Sequence, residues 1–147
     1  MTKKESSLIS IYKKNEFLIE DKEDIWISIE NQIDSKYFRI PFAIITAWNP
    51  MNNSHSLESN IAMNKQLKEK IESLKYVYKS TVGKCDGHSE DSFIVYRLPK
   101  RLALELGREF KQYSIFYNDR CYLEYITCDD ESILLQSRVA NKGTINS

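Results

Sequence analysis

Two apolar strands, one alternating strand, a fourth strand that opens a hairpin and two amphipathic helices follow one another as strand–helix–strand–strand–helix–strand from Phe42 onward. That order predicts an α+β fold with a ferredoxin-like split βαβ core, preceded by an N-terminal helix/strand extension. The topology puts the first and third strands in the centre, and those are the two apolar ones. The alternating strand falls at the edge, where one face is wet. The expected layout of the 147 residues is a single domain. The extension covers 1–40, the core 41–127 and the C-terminal tail 128–147.

Within the extension, Leu8, Ile11 and Tyr12 share a helical face, and the chain turns extended around Phe17. "EDIWISIENQ" (23–32) reads as a strand and "IDSKYFRIP" (33–41) as a connector. "FAIITAW" (42–48) is apolar throughout, the pattern of a central strand covered on both faces. Residues 54–75 are the clearest helix, capped by Ser54 or Ser56, with Glu58 in its first turn. Its apolar stripe is Leu57, Ile61, Leu67, Ile71 and Leu74, and the pairs Lys65/Glu69 and Lys68/Glu72 form a solvated face.

"YVYKSTVG" (76–83) alternates and reads as the edge strand. "KCDGHSED" (84–91) reads as a hairpin loop, and "SFIVYRL" (92–98) as the second central strand. The second helix, 99–112, opens on Pro99 and turns Leu102, Leu106 and Phe110 inward. Gly107 inside it costs about 1 kcal/mol against alanine, which points to close packing on the sheet. "YSIFYND" (113–119) and "CYLEYIT" (121–127) form a final hairpin turning near Asp119 and Arg120. A short helix is expected at "ESILLQSRV" (131–139) before the tail frays.

Composition removes several function classes. Lys+Arg and Asp+Glu both number 21, so the excess positive charge of a dedicated nucleic-acid binder is missing. No apolar run is long enough for a membrane span, and the N-terminus lacks the apolar stretch of a secretory signal. Three cysteines without framework spacing fit a reducing compartment, so a cytoplasmic location is expected. Cys85 and His88 have C-x2-H spacing, but no second paired motif accompanies them. His55, Cys121 and Cys128 are patternless, and no metal site is read. Strand tyrosines could stack RNA bases, yet no matching signature accompanies them. No phosphate loop, nucleophile elbow or other cofactor motif appears, and no cofactor is expected.

The expected topology brings polar residues to one sheet edge. Trp48, Asn49, Asn60, Glu90, Ser92 and Gln112 meet there, and Asn64 interrupts the apolar stripe beside them. Buried amides need hydrogen-bond partners, which a polar strand end offers. These seven residues are the candidate ligand-binding set, with Glu90 the candidate general acid or base. The expected function is a binding or regulatory domain whose pocket takes a small polar or anionic metabolite. The rivals are a small enzyme using Glu90, and an interaction module for a protein partner or a second copy.

"ITAWNP", Asn60 and Asn64, "EDSFIV" and "EFKQYSIFY" together resemble the bacterial domain-of-unknown-function family 3293 over roughly residues 40–118. Its members carry a similar "ITAWNP", an Asn-rich helix start, a Glu-x-Ser-Phe segment and a Phe-Gly-Gln-type helix end. Here Lys111 stands where the family often has glycine, and His88 where it often has tryptophan. The resemblance implies no established activity. It implies that these positions act as one constellation.

Overall fold

The computed structural model describes residues 2–20, 23–30 and 35–139. The elements in chain order are α1 (Lys3–Lys14), β1 (Glu16–Glu20), β2 (Asp24–Ile27), β3 (Phe42–Ile45), α2 (Leu57–Ser73), β4 (Tyr78–Cys85), β5 (His88–Tyr96), α3 (Lys100–Glu109), β6 (Ser114–Asn118), β7 (Tyr122–Thr127) and β8 (Ile133–Arg138). Among the described residues, eight strands form one antiparallel sheet, in the order β2-β1-β4-β5-β3-β6-β7-β8.

This corrects the ferredoxin-like expectation. The fold is a curled, eight-stranded antiparallel half-barrel with three helices, not a four-stranded split βαβ sandwich. β3 and β5 do lie side by side in the middle, but the sheet does not stop at their neighbours. β4, expected at the edge, is interior, because β1 pairs with it through Glu16↔Lys84 and Phe17↔Gly83. The N-terminal segment is thus part of the sheet, not an appendage. At the other side β7 pairs with β6, and residues 133–138, expected within a helix, pair with β7 as β8.

The curl can be measured across the sheet. β1 and β6 are four strand spacings apart, which in a flat sheet would be roughly 19 Å. Yet the rings of Phe17 and Phe116 lie 5.2 Å apart. The sheet therefore bends toward the face that carries them. Its concave side holds one core, including Phe17, Ile44, Ile94, Phe116 and Tyr125. The other side, under α2 and α3, holds a second, including Ala43, Ile45, Leu67, Val95 and Leu104. β3 is buried at all four positions because both of its faces pack.

Local signals explain several boundaries. Ser56 caps α2 by accepting from the Ser59 N–H at 3.1 Å. The loop expected over 84–91 contracts to the two residues Asp86 and Gly87, with φ of 47° and 81°. Two consecutive positive φ values make the type I′ turn whose twist suits a hairpin, and Asp-Gly is a preferred pair for it. Glu90 consequently sits on strand β5, not in a loop, and the strand expected to begin at Ser92 begins at His88.

The α2 stripe also differs from expectation. Leu57 and Ile61 are 63% and 54% exposed, while Asn60 and Asn64 are buried in line with Leu67 and Ile71. Across the sheet, Glu124 is 2% exposed, and its carboxylate accepts from Lys100 Nζ at 2.8 Å and Gln136 Nε2 at 2.7 Å. Both oxygens of this buried charge are thereby engaged.

Candidate functional site

The polar end of the sheet follows from the period-2 geometry of its strands. Ile94, Ile44 and Phe116 sit in register across β5, β3 and β6 on the concave face. Two residues further toward the same end, the side chains become Ser92, Thr46 and Ser114. One more step along β5 reaches Glu90. Apolar rows thus give way to polar ones at one end of the curl, where helix α1 lies across the opening.

Here the structure encloses a cavity of about 450 Å³. Phe17, Ile44, Phe116 and Tyr125 line it on the sheet side, and Leu8, Ile11 and Tyr12 line it from α1. Tyr12 stacks on Tyr125 with ring centroids 4.3 Å apart and 8° between planes, and its hydroxyl oxygen accepts from Ser114 Oγ at 2.7 Å. Asn15 Nδ2 donates to the Tyr125 hydroxyl at 3.4 Å. These contacts dock α1 over the cavity.

Four of the sequence-predicted residues line this space: Asn49, Glu90, Ser92 and Gln112. Trp48 and Asn64 do not. They border a separate groove of about 510 Å³ on the helix-covered side, between α2 and the β1–β4–β5 strands. Asn60 is 3% exposed and borders neither space.

The amides form a bracing system. Asn64 Oδ1 accepts from the Ala47 N–H at 2.7 Å, and its Nδ2 donates to the Asp91 carbonyl at 2.8 Å, joining the end of β3 to β5. Asn60 Oδ1 accepts from the Asn49 N–H at 2.8 Å, and its Nδ2 donates to Asn49 Oδ1 at 3.0 Å. Asn49 has φ of 45°, a left-handed conformation that asparagine tolerates better than most residues. Held this way, Asn49 stands beside the carboxylate of Glu90 and favours its charged form. "WNP" therefore turns the chain over the sheet end: Asn49 takes the left-handed position and Pro50 opens a single 3₁₀ turn.

Gln112 closes the system. Its Nε2 donates to the carbonyls of Trp48 at 3.2 Å and Phe110 at 3.3 Å, and the Met51 N–H donates to the Lys111 carbonyl at 2.7 Å. α3 ends in a Schellman motif, with Gln112 N–H bonded to Gly107 O and Lys111 N–H to Arg108 O. Lys111 occupies the left-handed position of that motif at φ 56°. A glycine there needs no Cβ accommodation. Lys111→Gly is expected to raise stability by up to about 1 kcal/mol, read from the denaturant midpoint.

Glu90 is the part-buried carboxylate of the cavity. Burial pushes its carboxyl above the ordinary range, and the Asn49 side chain partly opposes this. The folded protein therefore binds this proton more tightly than the unfolded chain. Stability falls as pH rises from the unfolded value, about 4.3, through the raised folded one. Glu90→Gln removes the penalty. At pH 7 the variant is expected to melt at the wild-type temperature or higher, and the gap should close on acidification to about pH 4. A lower melting temperature at pH 7 would instead make Glu90 a structural tie.

Sequence reasoning missed Tyr12, Asn15, Asn52, Ser114 and Tyr125, which also line the cavity. The alternation along β6 carried a signal for Ser114, since Ser114 and Phe116 share a face. Nothing local announced that α1 would cross the sheet. Cys85 and His88 face each other across the hairpin, and no cluster of three metal-ligating side chains occurs among the described residues.

Fold and cavity together define a small α+β protein with a curled antiparallel sheet and a pocket beneath its first helix. Residues 45–115 match the model of the family described as protein of unknown function (DUF3293), as the "ITAWNP" resemblance implies. No curated protein and no solved structure matches the chain. Among the described residues, no helix is long and apolar enough to cross a membrane.

Proposed function

We propose that this protein binds a small molecule in the cavity between α1 and the concave face of the sheet. The observation that carries the reading is the cavity itself. Its volume of about 450 Å³ lies in the range of small-molecule sites, and it joins an aromatic wall to a few convergent polar groups. Asn49 and Glu90 are the recognition pair. Ser92 is a further contact, while Asn60, Asn64 and Gln112 hold the backbone that positions them. A cytoplasmic location accompanies this reading, in keeping with three cysteines that are all unpaired.

The lining narrows the ligand class. Among the described residues it includes Glu90 and Asp86, with His88 as the one basic side chain and neither lysine nor arginine, so an anionic metabolite would meet mainly like charge. Neutral and cationic compounds are favoured. The test is a melting-temperature screen of wild-type protein against nucleosides, amines, sugars and carboxylates. A true ligand at 100 times its Kd adds about 2.7 kcal/mol and raises the melting temperature by roughly 5–10 °C. A screen in which no compound moves the transition counts against a pocket and in favour of a protein partner.

A second reading rests on the raised Glu90 carboxyl. In an enzyme this group would serve as general acid or base, oriented by Asn49. Turnover of a bound compound would then follow a pH profile governed by one group, and Glu90→Gln would abolish it without unfolding the protein.

A further inference from the structure

Among the described residues, Glu90 has no ion-pair partner, and His88, two residues along the same strand, forms none with it. Glu90 is part-buried, and the uncharged side chain of Asn49 beside it partly opposes the effect of burial. No lysine or arginine among the described residues forms an ion pair with it. The other acidic side chain in the lining, Asp86, already faces Lys14 at 3.8 Å on the rim. By contrast, the buried carboxylate of Glu124 on the opposite side of the sheet has its lysine. A carboxylate drawn out of water without a cation is costly unless something else supplies the charge.

The walls around Glu90 suit one kind of body. Phe17, Phe116, Tyr12 and Tyr125 pack on one another along the cavity, and with Leu8 and Ile11 they give it an apolar, aromatic wall. We infer that the ligand is an organic amine, an aromatic or apolar body bearing a protonated amino group, with Glu90 as its counterion in the cavity beneath α1. This rests on the reading of the cavity as a binding site and adds the ligand's charge and shape. The ammonium takes the place at Glu90 that no described lysine or arginine fills, and the body lies against the aromatic wall. Asn49, braced from behind by Asn60, keeps the carboxylate aimed inward.

The test uses three compounds of one shape and different charge: tryptamine, tryptophol and indole-3-acetate. Each is titrated calorimetrically into the full-length protein at neutral pH, with amide spectra locating the bound molecule. Tryptamine should bind at least about tenfold more tightly than tryptophol, the value of one charge-assisted hydrogen bond, and indole-3-acetate should bind most weakly. In Glu90→Gln, checked for folding by its amide spectrum, tryptamine should lose that advantage.

Tryptophol or indole-3-acetate binding the cavity as tightly as tryptamine would overturn the amine inference and leave the pocket reading intact. So would a tryptamine preference that survives in Glu90→Gln. If none of the three perturbs the cavity at millimolar concentration, both readings fail together. The wild-type comparison decides the matter alone should the variant not fold.

Discussion

Asn64→Leu is expected to destabilise the protein by about 2–4 kcal/mol, lowering the melting temperature by roughly 5–15 °C. By sequence alone the opposite could be argued. Leucine at 64 would fill the one gap in an apolar stripe between Ile61 and Leu67. The structure reverses that argument, because the stripe does not run where the apolar residues are. Ile61 points to solvent, and Asn64, 6% exposed, occupies the inward position. Its carbonyl oxygen satisfies the buried end of β3 at Ala47, and its amide nitrogen reaches the Asp91 carbonyl of β5. Leucine would leave the Ala47 N–H without an acceptor in a site from which water is excluded. An orphaned buried donor costs its full desolvation energy, which exceeds what a leucine side chain gains there. Guanidinium unfolding of the two proteins measures the difference, and an unchanged midpoint would mean that water replaces the amide.

Gly107→Ala should destabilise by about 1–3 kcal/mol, although helix propensity alone favours alanine by about 1 kcal/mol. A Cβ at 107 would overlap Cys128 Sγ and approach Ile115 Cγ2 to 3.1 Å. Cys128 is fully buried, so a shift of its sulfur would have to be made inside the core. Burial pushes its thiol up to about 12, and so it packs as a neutral group between α3 and the sheet. Cys128→Ala removes the offending sulfur. Alanine at 107 should therefore cost much less in the Cys128→Ala background, with a coupling of about 1–2 kcal/mol in the double-mutant cycle. Additive effects would show that the helix simply shifts away from the sheet.

The elements that sequence disclosed are those with a strong local signal. α2 announced itself through its cap and its length, and Gly107 through its place in an otherwise apolar helix face. The pairing of those elements was not disclosed, since strand order is a long-range property. One clue in the sequence did point past a two-layer fold. "FAII" is apolar at every position, so both faces of its strand had to be covered, whereas helices cover only one face of a split βαβ sandwich. The curl supplies the other cover by bringing Phe17 over Phe116. β8 was hidden because "ILLQSR" has no alternation strong enough to outweigh its helix-forming leucines. Its place in the sheet comes from β7 alongside it.

The site was legible in part for the same reason. Asn49, Glu90, Ser92 and Gln112 line one cavity as expected because the directions of β3, β5 and α3 follow from the element order, although β3 ends at Ile45 and β5 begins at His88. Trp48 and Asn64 went astray because a residue's position along a strand end does not tell which face of the sheet it serves. The roof of the cavity depends on Tyr12 meeting Tyr125, 113 residues further on in sequence, and no local pattern encodes that contact.

Amide chemical-shift mapping decides whether the cavity beneath α1 is a small-molecule site. A compound that stabilises the protein should perturb Tyr12, Gly83, Ser92, Ser114 and their neighbours, and Glu90→Gln should weaken the response. Shifts confined to the groove beside Trp48 and Ile61, or stabilisation by no compound at all, would contradict that reading.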